Sequence, residues 1–166
     1  MKKIPVIYCI LFIFCSKFCL AQETKKDTTK SRFGIDLPVG ASLIRNTMAP
    51  NLSLLLSYNH KNKYEIALSG SLYYFFERDA QRNFSTYINS FVGVQFSSHD
   101  KKESKKSSSR WVGSGIAFLV SRQGDYFQGR TSKIYGIYSY KKIEILPEIY
   151  VTNNRRNIFP GLTVRF

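Results

Sequence analysis

The sequence predicts an all-β fold in which eight antiparallel strands close into an up-and-down barrel that spans a membrane. From Arg32 onward, apolar and polar residues alternate with a period of two, and no segment shows the 3.6-residue apolar period of a helix. Eight such runs are separated by polar stretches. Most of them reach about ten residues, which matches a tilted membrane strand and exceeds the usual soluble strand of about 5–6 residues.

The start of the chain, residues 1–21, predicts a signal peptide. Two lysines precede an apolar run over residues 4–14, and residues 19–21 place small side chains at the −3 and −1 positions of a cleavage site. The apolar run is shorter than the roughly 20 residues that a transmembrane helix needs, and Lys17 interrupts the segment. We therefore expect export, with cleavage after about Ala21.

The sequence predicts three parts, of which cleavage would remove the first, the signal peptide. Residues 22–31 are polar throughout and predict a short disordered tail, and residues 32–166 form a single barrel domain. The three cysteines, Cys9, Cys15 and Cys19, all lie in the removed segment, so the mature chain has no disulfide and no cysteine ligand.

The mature chain keeps two imidazoles, those of His60 and His99, which are far apart and lack the spacing of a zinc motif. We expect no metal site and no cofactor.

The eight predicted strands span residues 32–42, 50–59, 63–76, 84–97, 110–121, 131–140, 143–152 and 157–166. In the third strand, Tyr64, Ile66 and Leu68 share one face. Glu65 and Ser69 lie on the other. Apolar residues outside and polar or small residues inside are the pattern of a transmembrane barrel, which must close because lipid cannot satisfy a free sheet edge.

A soluble exported barrel of the lipocalin type, binding a small apolar ligand, is the alternative interpretation. Such a barrel would turn its large apolar face inward, and alternation alone does not say which face is inside. The long strands, the aromatic residues near strand ends and the many Glu, Asp, Asn, Gly and Ser residues on the second face favour the membrane interpretation.

The last strand, residues 157–166, alternates strictly and ends on Phe166. It resembles the closing strand of Gram-negative outer-membrane β-barrels, in which a terminal Phe is part of the signal read by the barrel insertion machinery. Over residues 32–166 the chain is similar to the family of small eight-stranded outer-membrane β-barrel proteins. The resemblance implies an outer-membrane location, a monomer in contact with outer-membrane lipid, and a role in envelope integrity, adhesion or host interaction. It offers no catalytic or ligand motif.

Because the number of strands is even and the C-terminus is expected in the periplasm, each connection can be assigned to one side of the membrane. Loops at 43–49, 77–83, 122–130 and 153–156 face outward, and turns at 60–62, 98–109 and 141–142 face the periplasm, where 98–109 is long for this class. Seven arginines fall on the outer side: Arg45, Arg78, Arg82, Arg122, Arg130, Arg155 and Arg156. Because guanidinium groups bind phosphate bidentately, these residues predict contact with lipopolysaccharide; ordinary loop solvation is the alternative.

The basic charge does not indicate nucleic acid. The formal net charge of +14 falls to +11 once Lys2, Lys3 and Lys17 leave with the signal peptide. An exported barrel has no access to cytoplasmic nucleic acid, and no aromatic and basic stacking motif is present.

A barrel enzyme that modifies lipid A is a weaker alternative, because acyl transfer needs a general base beside a nucleophile. Polar candidates at the outer rim are Ser42, Asp79, Ser121 and Asp125, whereas His60 and His99 map to the opposite end. We therefore predict no catalytic residue. A small pore is also less favoured, because eight strands leave an interior that large side chains fill, so we expect a plugged, non-conducting lumen.

The closing hairpin predicts a register and two ion pairs inside the barrel. A four-residue loop at 153–156 sets Glu144 opposite Arg165. A tight turn at 141–142 sets Tyr135 opposite Glu148, with Lys133 one diagonal away as its cation.

Overall fold

A computed structural model of the chain describes residues 31–61, 63–78, 84–99, 110–154 and 156–166. The predicted signal peptide, nearly all of the predicted tail and most of the long 98–109 connection lie outside these residues. The strands are β1 (Arg32–Asp36), β2 (Val39–Ile44), β3 (Thr47–His60), β4 (Tyr64–Arg78), β5 (Phe84–His99), β6 (Arg110–Ser121), β7 (Ser132–Tyr140), β8 (Ile143–Thr152) and β9 (Asn157–Arg165).

These segments form a closed eight-stranded antiparallel up-and-down barrel, which confirms the predicted all-β barrel architecture. Both β1 and β2 pair with β3 and together make the first barrel strand. Each later strand pairs with the next, and β9 returns to β2 to close the sheet. The closing bond runs from the Phe166 N–H to the Val39 carbonyl at 2.9 Å.

The first barrel strand is interrupted, where the sequence predicts one continuous run over 32–42. Leu37 and Pro38 lie between β1 and β2. Proline has no N–H to donate to a ladder, although the Pro38 carbonyl still accepts from the Ser53 N–H at 2.9 Å. The next connection is shorter than the predicted 43–49 loop, because a turn at Arg45 and Asn46 joins β2 directly to β3.

The barrel closes with a stagger. Ile35 pairs with Leu56, and a chain of opposed partners continues through Leu68, Val94, Ile116, Ile134 and Ile149 to Pro160. The Pro160 carbonyl accepts from the N–H of Arg45, ten residues beyond Ile35 on the first strand. A stagger of this kind requires strands tilted by about 35–45° to the barrel axis.

Large apolar side chains point outward on every segment, and polar or aromatic side chains fill the interior. One exposed example from each segment is Phe33, Leu43, Leu54, Leu68, Val94, Phe118, Ile134, Ile149 and Ile158. The interior includes Ser53, Ser69, Asn89, Gln95 and Thr163, all buried. The predicted division of alternating residues between the two faces of the sheet is therefore confirmed, and the apolar face is the outer one.

Candidate functional site

The interior of the barrel is closed at one end by a loop that folds back into it. This plug loop, residues 122–131, follows β6, whose pairing with β5 shifts register next to Phe91. A bulge of this kind bends a strand and redirects the chain. Gly124 and Gly129 have φ values of 67° and 59°, a left-handed region that glycine enters without strain, so the loop can turn twice within a few residues.

The plug loop places Phe127 in the centre of an aromatic cluster. Phe127 is fully buried. Its ring centroid lies 5.7 Å from Phe75, 5.3 Å from Phe91 and 5.5 Å from Tyr150. The neighbouring Tyr126 stacks on Phe75 at 4.2 Å. Five aromatic rings therefore pack together inside the lumen below the mouth.

Hydrogen bonds hold the plug loop to three sides of the barrel wall. The Tyr126 hydroxyl donates to the Ile44 carbonyl on β2. The Gln123 N–H donates to Asn89 Oδ1 on β5 at 3.1 Å, and the Gln128 N–H donates to Thr152 Oγ1 on β8 at 3.1 Å. Burial raises the pKa of the Tyr126 phenol above its usual value of about 10, despite opposing effects from Thr47 and Arg45. The phenol therefore stays a donor at neutral pH.

A buried ion pair lies beneath the aromatic cluster. Lys133 Nζ is 2.7 Å from Glu148 Oε1, and the two side chains are 4% and 0% exposed. The other carboxylate oxygen, Glu148 Oε2, accepts from the Tyr150 hydroxyl at 2.7 Å and from Thr163 Oγ1 at 2.9 Å. Lys133 also donates to the Tyr73 hydroxyl. Both charges thus have the partners that a buried pair needs to offset desolvation.

The second predicted pair lies toward the other end of the barrel. Arg165 Nη2 is 2.8 Å from Glu144 Oε2, and their side chains are 4% and 27% exposed. Glu144, Asp36 and Glu65 line an internal cavity of about 240 Å³ at this end. The register behind both pairs is confirmed, since Glu144 opposes Arg165 and Tyr135 opposes Glu148.

The described rim arginines fall into two kinds. Arg45 places its guanidinium carbon 4.0 Å from the Phe159 ring centroid, and Arg122 Nη1 donates to the Phe127 carbonyl at 3.4 Å. These two residues help to close the mouth. All four described rim arginines are exposed, Arg130 and Arg156 included.

The remaining rim arginines belong to parts of the chain that the structure does not describe. They are the side chain of Arg78 and the whole of Arg82 and Arg155.

Among the described candidate catalytic groups, the two histidines lie far from Ser42. Ser42 is buried in the lumen, shares a hydrogen bond with Thr163 Oγ1 at 2.6 Å and accepts one from Asn51 Nδ2 at 2.7 Å. His60 and His99 both lie at the opposite end, where His60 stacks on Tyr64 and His99 packs edge-on to Trp111. Asp79 is outside the described residues. Within the described ranges, no group of three or more His, Cys, Asp or Glu could hold a metal ion.

Comparisons with protein-family models, with curated proteins and with solved structures found no match. Among the residues that the structure describes, no helix is long and apolar enough to cross a membrane.

Sequence reasoning missed the plug loop and the role of its two aromatic residues. The available signal was the pair Tyr126-Phe127, the one large apolar group in a connection otherwise made of polar residues and glycines. Such a pair in an exposed loop is expected to find a buried site. Nothing in the spacing indicated that the site was the lumen of the same barrel.

Proposed function

We propose that the chain is an integral outer-membrane β-barrel protein with a plugged, non-conducting lumen, serving envelope integrity or surface interaction in a Gram-negative cell. The observation that carries this proposal is the outward apolar face. Phe33, Met48, Ile134 and Ile158 are each more than half exposed, and similar residues occur on every strand. Monomeric soluble proteins rarely expose apolar patches beyond a few hundred Å², so a lipid environment accounts best for this surface.

The arrangement of the interior favours this proposal over a soluble lipocalin-type barrel. A lipocalin-type barrel keeps a roomy apolar interior for its ligand. Here the middle of the lumen holds the Lys133–Glu148 pair, and the space above it is occupied by Phe127 and its aromatic neighbours. The described cavity inside the barrel is lined largely by polar groups, three of them carboxylates.

The same filling supports a non-conducting barrel rather than a small pore. Phe75, Phe91, Phe127 and Tyr150 are each no more than 1% exposed, which supports a lumen filled by side chains. We also propose the family-type partners: outer-membrane lipid and lipopolysaccharide around the barrel, and the insertion machinery acting on the strand that ends at Phe166. Arg130 and Arg156 are the described rim cations available for lipopolysaccharide.

Fractionation and electrophoresis test the proposal. The mature protein should remain in the membrane fraction after a high-salt wash, dissolve only with detergent, and migrate faster unboiled than boiled on a denaturing gel. In planar bilayers it should give no stepwise conductance. A water-soluble monomer with a single heat-independent band would contradict the proposal and favour the lipocalin-type barrel.

A further inference from the structure

A groove opens on the outer wall of the barrel immediately below the plugged end. Phe118 on β6 opposes Ser132 on β7, and Ser132 opposes Val151 on β8, so these residues form one row across three strands. Phe118 is 54% exposed, which places the row on the outer face. Because a small serine lies between two larger side chains, the row has a depression at its centre. Together with Arg130, Thr131 and Asn154, the row lines an open pocket of about 720 Å³.

The upper edge of the groove is polar and is fixed in position by the plug loop. The Arg130 N–H donates to Asn154 Oδ1 at 3.2 Å, which ties the end of the plug loop to the loop between β8 and β9. Thr131 Oγ1 lies 2.7 Å from Thr152 Oγ1 in a buried contact that anchors the same corner. The Arg130 side chain is exposed above this anchored backbone. The exposed Arg130 therefore lines a groove whose floor is Ser132, flanked by Phe118 and Val151.

The wall below the groove is hydrocarbon in character. Ile116, Ile134 and Ile149 form the next outward row toward the middle of the barrel, since Ile134 opposes both of the others. Ile134 is 54% exposed and Ile149 53% exposed. The surface therefore changes over a short distance along the barrel axis. Its upper edge carries a cation and two amide or hydroxyl groups, and the next outward row consists of exposed isoleucines. An amphiphile with an anionic head and an acyl chain has the complementary order of groups.

We infer that this groove binds one lipopolysaccharide molecule, with a lipid A phosphate against Arg130 and an acyl chain along Ile134 and Ile149. Arginine binds a phosphate through two parallel N–H···O bonds, and the Asn154 amide and Ser132 hydroxyl can bond the sugar head. The inference rests on the proposed function, because it requires this end of the barrel to face the outer leaflet. The inference gives lipopolysaccharide a defined binding site, whereas the rim arginines alone predict only a diffuse attraction for its phosphates.

The test is lipid A binding to the full-length mature barrel, purified in detergent and followed by native mass spectrometry and by titration. Arg130→Gln should weaken binding of bisphosphorylated lipid A at least about tenfold, the loss expected for one charge-assisted contact. Ser132→Phe fills the depression without changing charge and should abolish the bound equivalent. Arg156→Gln removes the same charge from the same rim outside the groove and should weaken binding far less than Arg130→Gln, because there the charge supplies only diffuse attraction.

Two results would contradict lipid A binding in the groove without contradicting the membrane proposal. One is equal loss of affinity in Arg130→Gln and Arg156→Gln, with Ser132→Phe unaffected, which would mean diffuse attraction. The other is equal binding of dephosphorylated lipid A or of phosphatidylglycerol, which would mean that the groove does not select a lipid A phosphate. A heat-independent, water-soluble wild-type protein would instead refute the membrane proposal itself, so the two failures are distinguishable.

Discussion

Replacing Lys133 with methionine removes the cation at the centre of the lumen and leaves its partner in place. Lys133 Nζ and Glu148 Oε1 are 2.7 Å apart, and both side chains are almost fully buried. At an effective dielectric constant of about 20, two unit charges at this separation attract by about 6 kcal/mol. Removing each charge from water costs several kcal/mol, so the net stabilisation by the intact pair is far smaller than that attraction.

The single substitution destabilises the folded barrel because it removes the attraction, while the Glu148 carboxylate remains buried away from water. Hydrogen bonds from Tyr150 and Thr163 still stabilise one carboxylate oxygen. They do not replace a full positive charge. We expect Lys133→Met to lower the free energy of unfolding by about 3–5 kcal/mol.

Urea unfolding in detergent micelles measures this loss, with the fluorescence of Trp111, the single tryptophan, as the signal. The matched control is the double variant Lys133→Met/Glu148→Gln, which carries neither charge and should recover a large part of the stability. A loss below about 1 kcal/mol in the single variant would refute the reasoning, as would a double variant that is less stable than the single one.

Three further predictions concern the plug loop and the outer face. Phe127→Ala should lower the free energy of unfolding by about 3–5 kcal/mol in the same urea assay, because it empties a fully enclosed site, whereas Phe127→Leu should cost much less. Val92→Lys, at the middle of β5 on the outer face, should cost about 2–4 kcal/mol in lipid vesicles, and a negligible change there would indicate that this face meets water. Above about pH 10, the Tyr126 phenol ionises more readily in the unfolded chain than in the folded barrel, because folding raises its pKa. The free energy of unfolding should therefore fall with rising pH. Stability curves of wild type and Tyr126→Phe should therefore converge at alkaline pH, and parallel curves would contradict the assignment of the raised pKa.

The strands and their pairing could be read from the sequence because each rule involved is local. The alternation of Tyr64 to Phe76 assigns two faces without reference to any other strand. The short connections at 141–142 and 153–156 then determine the register of β7, β8 and β9, which is why the opposition of Glu144 and Arg165 could be predicted. A two-residue or four-residue connection leaves the chain little freedom to slip.

The closure of the mouth could not be predicted, because it depends on contacts between residues far apart in the sequence. Phe127 meets Phe75 and Phe159, which lie on opposite walls of the barrel. Arg45 appeared to be a free rim cation, yet its guanidinium stacks on Phe159 once the plug loop is in place. The interruption at Pro38 was visible as a proline, but alternation continues across it, so the pattern alone gave no break.

Contact between the outer face and hydrocarbon is the central claim, and quenching by brominated lipids tests it most directly. The native Trp111 lines the internal cavity, so its fluorescence in vesicles of acyl-brominated phosphatidylcholine should be quenched weakly. In the variant Leu54→Trp/Trp111→Phe, the tryptophan occupies an outward position at the middle of β3 and should be quenched strongly. Strong quenching at position 54 with weak quenching at 111 is the result we predict. Equal, weak quenching at both positions, with the protein recovered in the aqueous phase, would contradict the account.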